Sequence, residues 1–240
     1  MKRSYTIVVP ARDEEESIEA MLDRIRHYCP EAEILVVDDY SRDRTHMLAE
    51  GTKGVEVTKN ELEPGFKRAL MWSLLQVRTE AVVFVMADGC DELLRVEDMV
   101  GRVLDKEADV VCGSRHSPGG HILNPEDGDK ALASRLVGWL CHTILRVPTL
   151  DATNAFKAWR SDVLREVALT SPNESRMFKG GFECNMEWLL RAHAKGYVIT
   201  ELPTTWVGRR TGRSKFKFLR QAPAYLHTFL KGLVWTLCGC

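Results

Sequence analysis

The chain has 240 residues, 45% hydrophobic and 28% charged, a balance that fits an ordinary soluble fold with a sizeable core. Thirty-three Lys and Arg against 34 Asp and Glu leave a formal charge of -1, so the global basic footprint of a nucleic-acid binder is absent. Seven cysteines, odd in number, scattered and without a C-x-x-C pair, argue against a disulfide framework or a structural zinc and for a reducing compartment. The start, MKRSYTIVVPARDEEE, holds an apolar stretch too short for a secretory core and reads as a first strand. No run of 18 or more apolar residues occurs, so no transmembrane helix is expected. A cytoplasmic location is the default.

In chain order, residues 5–9 (YTIVV) form a β-rich run stopped by Pro10. Ile18, Met21, Leu22 and Ile25 then recur at helical spacing. A second buried-type strand at 33–37 (EILVV) ends in DDYSRD, and a weaker third begins near Val55. A turn at Pro64-Gly65 leads into a helix containing RALMWSLLQV. The strongest strand is 81–86, which ends in ADGCDE, followed by a helix near 96–105 and a short strand at 109–114. Strands apolar along their whole length, alternating with helices, indicate an α/β fold with a mainly parallel sheet covered on both faces. HSPGGHILNPEDGD then reads as a loop or lid. Next come a helix at 131–147, the segment DATNAFKAWR, a further helix GFECNMEWLLRAHAKG and a strand at YVITELP. A basic stretch, VGRRTGRSKFKF, precedes an apolar tail at 222–240. Trp72, Trp139, Trp159 and Trp188 read as core residues.

Ligands of parallel α/β sheets bind at the carboxyl ends of the strands. Pro10–Glu14, Asp38-Asp39, Asp88–Asp91 and Ser114-Arg115 each follow a strand and are expected to line one edge together. Asp38 and Asp39 would accept hydrogen bonds from a base or ribose. Asp88 and Asp91 would hold a hard cation, because carboxylate oxygens suit Mg²⁺ and Mn²⁺. Singly, each pair is better explained as a helix cap than as a ligand; four clusters at one edge favour a site. There is no G-x-G-x-x-G after the first strand and no P-loop lysine, which weakens dehydrogenase and NTPase readings. Arg209, Arg210, Arg213, Lys215 and Lys217 would clamp phosphate, form a solvated turn, or meet anionic lipid heads. The histidines have no ligand spacing.

IVVPARDEEESI, ILVVDDYSRDRT, VVFVMADGCDE and VVCGSR together resemble the nucleotide-binding half of family 2 glycosyltransferases, which adopt the GT-A fold. DATNAFKAWRSDVL and GFECNMEWLLRAHAKGYVITELPTTWVGRRTGRSK are similar to the dolichol- and polyprenyl-phosphate sugar transferase branch. The resemblance spans about residues 5 to 220, in the same order. It places Pro10, Arg12 and Glu14 at the base pocket and Asp39, beside Asp38, at the base or ribose. It makes Asp88 the metal ligand as the last acid of a D-x-D motif, with Asp91 the nearest supplement. Arg115, Arg209 and Lys215 fall near the donor diphosphate and the acceptor phosphate. The implied reaction is inverting transfer from a GDP- or UDP-sugar to a polyprenyl phosphate, with Mg²⁺ or Mn²⁺.

The sequence departs from the family pattern at several points. Arg12 replaces a common aromatic, Asp13 an Asn, Tyr40 a Gly, and Thr153–Lys157 the usual Thr-Ser-Gly-Phe-Arg; Met86 stands at the first acid of D-x-D. Two alternatives stay open: a soluble glycosyltransferase using Asp151, Glu183 or Glu187 as base, and a non-catalytic sugar-nucleotide-binding protein. The expected organisation is a transferase domain at 1–220 and an apolar tail at 221–240. The 131–147 helix, flanked by Arg135 and Arg146, and the tail around Tyr225, Phe229, Leu233 and Trp235 would either lie on the cytoplasmic face of a membrane or pack as core.

Overall fold

A computed structural model describes residues 4–123, 128–170, 181–208 and 218–238. The strands are β1 (Tyr5–Ala11), β2 (Glu33–Asp38), β3 (Val55–Lys59), β4 (Ala81–Phe84), β5 (Val110–Ser114), β6 (His121–Leu123), β7 (Lys157–Arg160), β8 (Ile199–Pro203) and β9 (Thr205–Val207). The helices are α1 (Ile18–Tyr28), α2 (Thr45–Gly51), α3 (Phe66–Gln76), α4 (Val96–Leu104), α5 (Gly128–Ile144), α6 (Ser161–Leu169), α7 (Cys184–Ala194) and α8 (Phe218–Cys238).

Seven strands form one sheet in the order β3-β2-β1-β4-β7-β5-β8, and β6 pairs with β9 in a small second ribbon. Six of the seven run parallel; β7 alone is antiparallel to both its neighbours, β4 and β5. The mainly parallel sheet expected from the apolar runs is therefore present, with one reversal. After α5 the chain makes no crossover but enters the sheet at its carboxyl edge. That entry delivers the 151–156 segment to the same edge as the ends of β1, β2, β4 and β5.

Side-chain alternation along each strand feeds two separate cores. Ile7, Val9, Ile34, Val36, Val83, Val111 and Ala158 pack against α1, α2 and α4. Val8, Leu35, Val37, Val82, Phe84, Val110 and Trp159 pack against α3, α5, α6 and α7 on the other face. Covered faces explain the unbroken apolar runs. The described cysteines, Cys29, Cys90, Cys112, Cys141 and Cys184, are buried free thiols.

Several sequence expectations change. The 131–147 helix becomes Gly128–Ile144, ending where Arg146 turns left-handed (φ 58°) ahead of Pro148. The expected loop after Arg115 contains β6, held by β9. Trp159 and Trp188 are core and Trp72 is half-buried, but Trp139 is 53% exposed on α5. α8 packs on α7: a Cβ at Gly232 would come within 2.7 Å of Leu190 Cδ1 and 3.0 Å of Leu145 Cδ1. Tyr225, Phe229, Leu233 and Trp235 meet the second core, which leaves the opposite side of the helix outward.

Trp159 stands opposite Val82 on one side and Val110 on the other. Trp159→Ala should cost about 3–5 kcal/mol in guanidinium unfolding, the range for emptying a large aromatic site. A loss under about 1 kcal/mol would mean that β7 is not a core strand.

Candidate active site

A cavity of about 900 Å³ opens at the carboxyl edge of the sheet. Pro10 near the end of β1 and Arg12, Asp13 and Glu14 after it, Asp39 after β2, Met86 and Asp88 after β4, Arg115 after β5 and Thr153–Ala155 before β7 line it; the strand is not stopped at Pro10 as expected but runs on to Ala11. The opposite wall comes from Ile122 and Trp206 of the small ribbon and from α5 and α8. Arg209 and Lys215, with the other basic residues of their segment, lie outside the described residues.

The loop after β1 is laced to the loop after β2. Asp13, left-handed at φ 49°, accepts from Arg42 N at 2.8 Å, while its own N–H donates to Ser41 Oγ at 3.0 Å. Glu14 N donates to Thr45 Oγ1 at 2.8 Å. Tyr40 keeps a left-handed backbone (φ 61°) although it carries a side chain, a conformation that costs about 1–2 kcal/mol outside glycine. Its hydroxyl donates to Leu62 O at 2.9 Å.

Strand alternation splits the two adjacent acids. Asp39 faces the cavity, accepting from Asn60 Nδ2 at 2.8 Å and Gly65 N at 3.0 Å, with the Arg12 guanidinium 3.5 Å away. Asp38 is buried and absent from the cavity wall, where it was expected; it accepts from Ser41 N at 3.0 Å and faces His46 at 3.4 Å. It shapes the loop rather than the pocket surface.

The loop after β4 presents Asp88 to the cavity and holds Asp91 behind it. Asp88 Oδ1 accepts from Cys90 N at 3.2 Å across a left-handed Gly89. Asp91 is buried and accepts from Met86 N at 3.2 Å, so it occupies the back of the turn rather than the cavity wall. Burial and then the Asp88 charge push its pKa up to about 7, against the partial relief of the Met86 N–H, Arg115 and Arg24. Arg24 of α1 fixes the turn from outside by donating to Gly89 O at 2.9 Å. Glu92 ties it to the ribbon by accepting from Thr205 N at 2.6 Å, and Val207 N donates to Cys90 O at 3.1 Å.

Among the described residues no three His, Cys, Asp or Glu side chains converge as a metal cluster. One carboxylate on the wall with a second close behind it suits a hard divalent cation that takes most of its ligands from substrate phosphates and water. Burial first, and then the Asp88 charge, raise the affinity of Asp91 for a proton; a cation held at Asp88 would offset the second cause. The donor set therefore fits Mg²⁺ or Mn²⁺.

Arg115 is held by three hydrogen bonds to one carboxylate. Its Nε donates to Asp151 Oδ2 at 2.7 Å and its Nη2 to Oδ1 at 2.8 Å, while its backbone N–H donates to Oδ2 at 3.0 Å. Asp151 has no solvent exposure. Burial alone would raise its pKa, but the charge and hydrogen bonds of Arg115 hold it below the usual carboxylate range. Two of the five guanidinium N–H groups are thereby used, and the side chain still lines the cavity. Beside it, Asn154 Nδ2 donates to Gly113 O at 2.8 Å. The buried Lys157, where the family pattern has Arg, donates to the carbonyls of Ala152 and Asn154. Sequence reasoning named Asp151 only as a base and missed its pairing with Arg115, since the two lie 36 positions apart. It also missed Asn154, Asn185 and Lys130, which line the cavity from neutral-looking helix and loop positions.

The sequence model for glycosyl transferase family 2 matches residues 6–167, and the chain belongs to that family. It is 32% identical over 218 residues to an undecaprenyl-phosphate mannosyltransferase of Micrococcus luteus, covering 87% of this chain and 85% of that protein. It is 29% identical over 221 residues to a polyprenol monophosphomannose synthase of Mycolicibacterium smegmatis, covering 87% and 79%. The fold matches glucosyl-3-phosphoglycerate synthase of Mycobacterium tuberculosis, solved with Mn²⁺, UDP-glucose and phosphoglyceric acid, with a TM-score of 0.73 at 20% identity over 96% of this chain and 80% of that one. The fold is GT-A and the protein is a glycosyltransferase, similar to the polyprenyl-phosphate sugar transferase branch.

The Asp91 environment sets a pH dependence. An unfolded Asp titrates near 3.9, so between about pH 4 and 7 the native chain keeps a proton that the unfolded chain has released. Metal-free stability falls as pH rises through that window and is level above it. Asp91→Asn should flatten the decline, read as urea midpoints from pH 5 to 8 in chelator. Equal slopes in both proteins would contradict a proton-binding Asp91.

Proposed function

We propose that this glycosyltransferase moves a sugar, with inversion, from a GDP- or UDP-sugar to a polyprenyl phosphate, using Mg²⁺ or Mn²⁺. The observation that carries the reading is the two-sided cavity. One side is polar, with Asp39, Arg12, Asp88 and Arg115; the other is apolar, with Leu136, Val137 and Leu140 of α5 and Leu226 and Phe229 of α8. A nucleotide suits the first side and the proximal part of a polyprenyl chain suits the second. The named relatives from Micrococcus and Mycolicibacterium support a lipid-phosphate acceptor.

In this mechanism Pro10, Arg12, Glu14 and Asp39 form the base and ribose end, and Asp88 would hold the cation, with Asp91 in the turn behind it. A bound divalent cation would neutralise charge on the departing nucleoside diphosphate. Arg115, kept in one orientation by Asp151, binds phosphate oxygens at the centre. A phosphate monoester carries close to two negative charges above about pH 6, so its oxygen attacks the anomeric carbon without a strong base. The new bond joins that oxygen to the sugar, and the bond from the sugar to the diphosphate breaks. The chain's task is to hold two anionic reactants in line. A soluble hydroxyl acceptor would need a base instead. Asp151 is committed to Arg115, Glu187 to Lys67 at 2.8 Å, and Glu183 is buried and not part of the cavity wall.

A lipid acceptor requires contact with a bilayer. Among the described residues no helix is long and apolar enough to cross a membrane. α5 and α8 nevertheless carry outward apolar stripes at helical spacing: Leu132, Leu136 and Trp139 on one, and Leu226, Leu230, Val234 and Leu237 on the other. Leu136 and Leu226 belong to both the stripe and the cavity wall, so the apolar surface runs continuously into the site. This continuity supports peripheral seating on a bilayer with the cavity mouth at the lipid surface.

Transfer assays with a panel of nucleotide sugars, with and without Mn²⁺ and undecaprenyl phosphate, test the reaction. Asp88→Ala should lower metal-dependent turnover by about 10²–10³-fold or more with an unchanged thermal midpoint. Turnover on soluble acceptors alone would overturn the lipid reading. Leu132→Asp with Leu230→Asp should lower the liposome partition coefficient, read by co-flotation, by about a hundredfold or more, each buried leucine contributing about 1.5–3 kcal/mol; undiminished flotation would remove this face from the membrane.

A further inference from the structure

We propose that Tyr225 of α8 is an acceptor-binding residue whose hydroxyl donates a hydrogen bond to the acceptor phosphate, an inference that rests on the polyprenyl-phosphate reading above. α8 lies beyond residue 167, where the family match ends. Among the described residues this helix gives the cavity Ala222, Tyr225, Leu226 and Phe229. The spacing of three and four residues around Tyr225 puts Ala222 and Phe229 on its own helical face. Three of the four wall residues are wholly apolar, so among the described side chains the phenol is the single polar group that α8 brings to the wall.

Tyr225 lines the same cavity as Arg115, the cation to which the proposed function gives the phosphate oxygens. The charged and polar groups acting on the Tyr225 hydroxyl are Cys184 and Glu183 at the start of α7 and the Arg115–Asp151 pair across the cavity. Burial and the neighbouring acidic groups raise its pKa well above that of a free tyrosine, so the phenol keeps its proton and acts as a donor at every working pH. Arg115 is the central cation, but its charge is largely balanced by Asp151, with which it forms two side-chain hydrogen bonds. A neutral donor from the opposite wall adds a contact to the anion without adding a buried charge, and hydrogen bonds to charged groups are the stronger kind. The rest of the tyrosine matches the other half of the same ligand. Its ring continues the apolar wall of Leu226 and Phe229, so one residue meets both the phosphate and the start of the polyprenyl chain. α8 is thereby part of the active site as well as of the outward apolar face.

Tyr225→Phe removes the hydroxyl and keeps the ring. With the nucleotide sugar used by the wild type held saturating, KM for undecaprenyl phosphate in detergent micelles should rise roughly ten- to a hundredfold, the size of a lost hydrogen bond to an anion. The shift in thermal midpoint produced by Mn²⁺ with the same nucleotide sugar should match that of the wild type, which separates acceptor binding from a general disturbance of the site. An unchanged KM for undecaprenyl phosphate in a wild-type enzyme that uses it would overturn the role of Tyr225 and leave the proposed function standing. A changed nucleotide response of the same size as the KM effect would also overturn it, because the residue would then be structural. Absence of any wild-type transfer to undecaprenyl phosphate would overturn the proposed function and this inference together.

Discussion

Asp151 has no contact with solvent, and Arg115 is what allows it to remain charged there. A buried carboxylate without a partner would lose its proton-free form or unfold its surroundings. This pair joins the end of β5 to the segment that enters β7, and so fixes the carboxyl edge at the point where the sheet reverses direction. The Asn154 bond to Gly113 O and the Lys157 bonds to the carbonyls of Ala152 and Asn154 extend the same join. The result is a floor with one guanidinium lining the cavity, on which the loops after β1, β2 and β4 and the apolar wall can be set.

The acids illustrate how position divides labour among like residues. Asp38 and Asp39 are neighbours in sequence, yet strand alternation sends one into loop construction and the other to the cavity. Asp88 and Asp91 are separated by a left-handed glycine turn that stacks one carboxylate behind the other. Burial, and then the Asp88 charge, raise the affinity of Asp91 for a proton. Met86 contributes its backbone N–H to Asp91 rather than a side-chain ligand to the cavity, so the turn is kept although the first acid of the usual motif is missing. Glu92 and Arg24 hold the turn from two further sides.

At the other end, α5 and α8 do two kinds of packing at once. Their inner faces complete the second core and the cavity wall, and their outer faces stay apolar. Close helix contact at Gly232, and at Gly138, where any Cβ would strike the Leu150 carbonyl oxygen, brings these helices near enough to the Arg115–Asp151 floor to close the site. An apolar surface continuous from outside to inside is an arrangement that a purely water-soluble acceptor would not require.

Much of this was legible in the residues. Apolar runs ending in carboxylates located β1, β2, β4 and β5 and the shared edge, because a strand buried on both faces has a composition no loop can imitate. Arg12, Glu14, Asp39, Asp88 and Arg115 follow their strands and, with Pro10 near the end of β1, line the cavity. What the linear pattern could not carry was anything depending on distant pairing. The reversal at β7, the commitment of Asp151 to Arg115, the retreat of Asp38 and Asp91 from the cavity wall, the exposure of Trp139 and the entry of α8 into the site were decided by the tertiary structure alone. Periodicity reports which side of an element is apolar; which neighbour covers that side, and which side chain meets a charge far along the chain, is settled only when the elements pack.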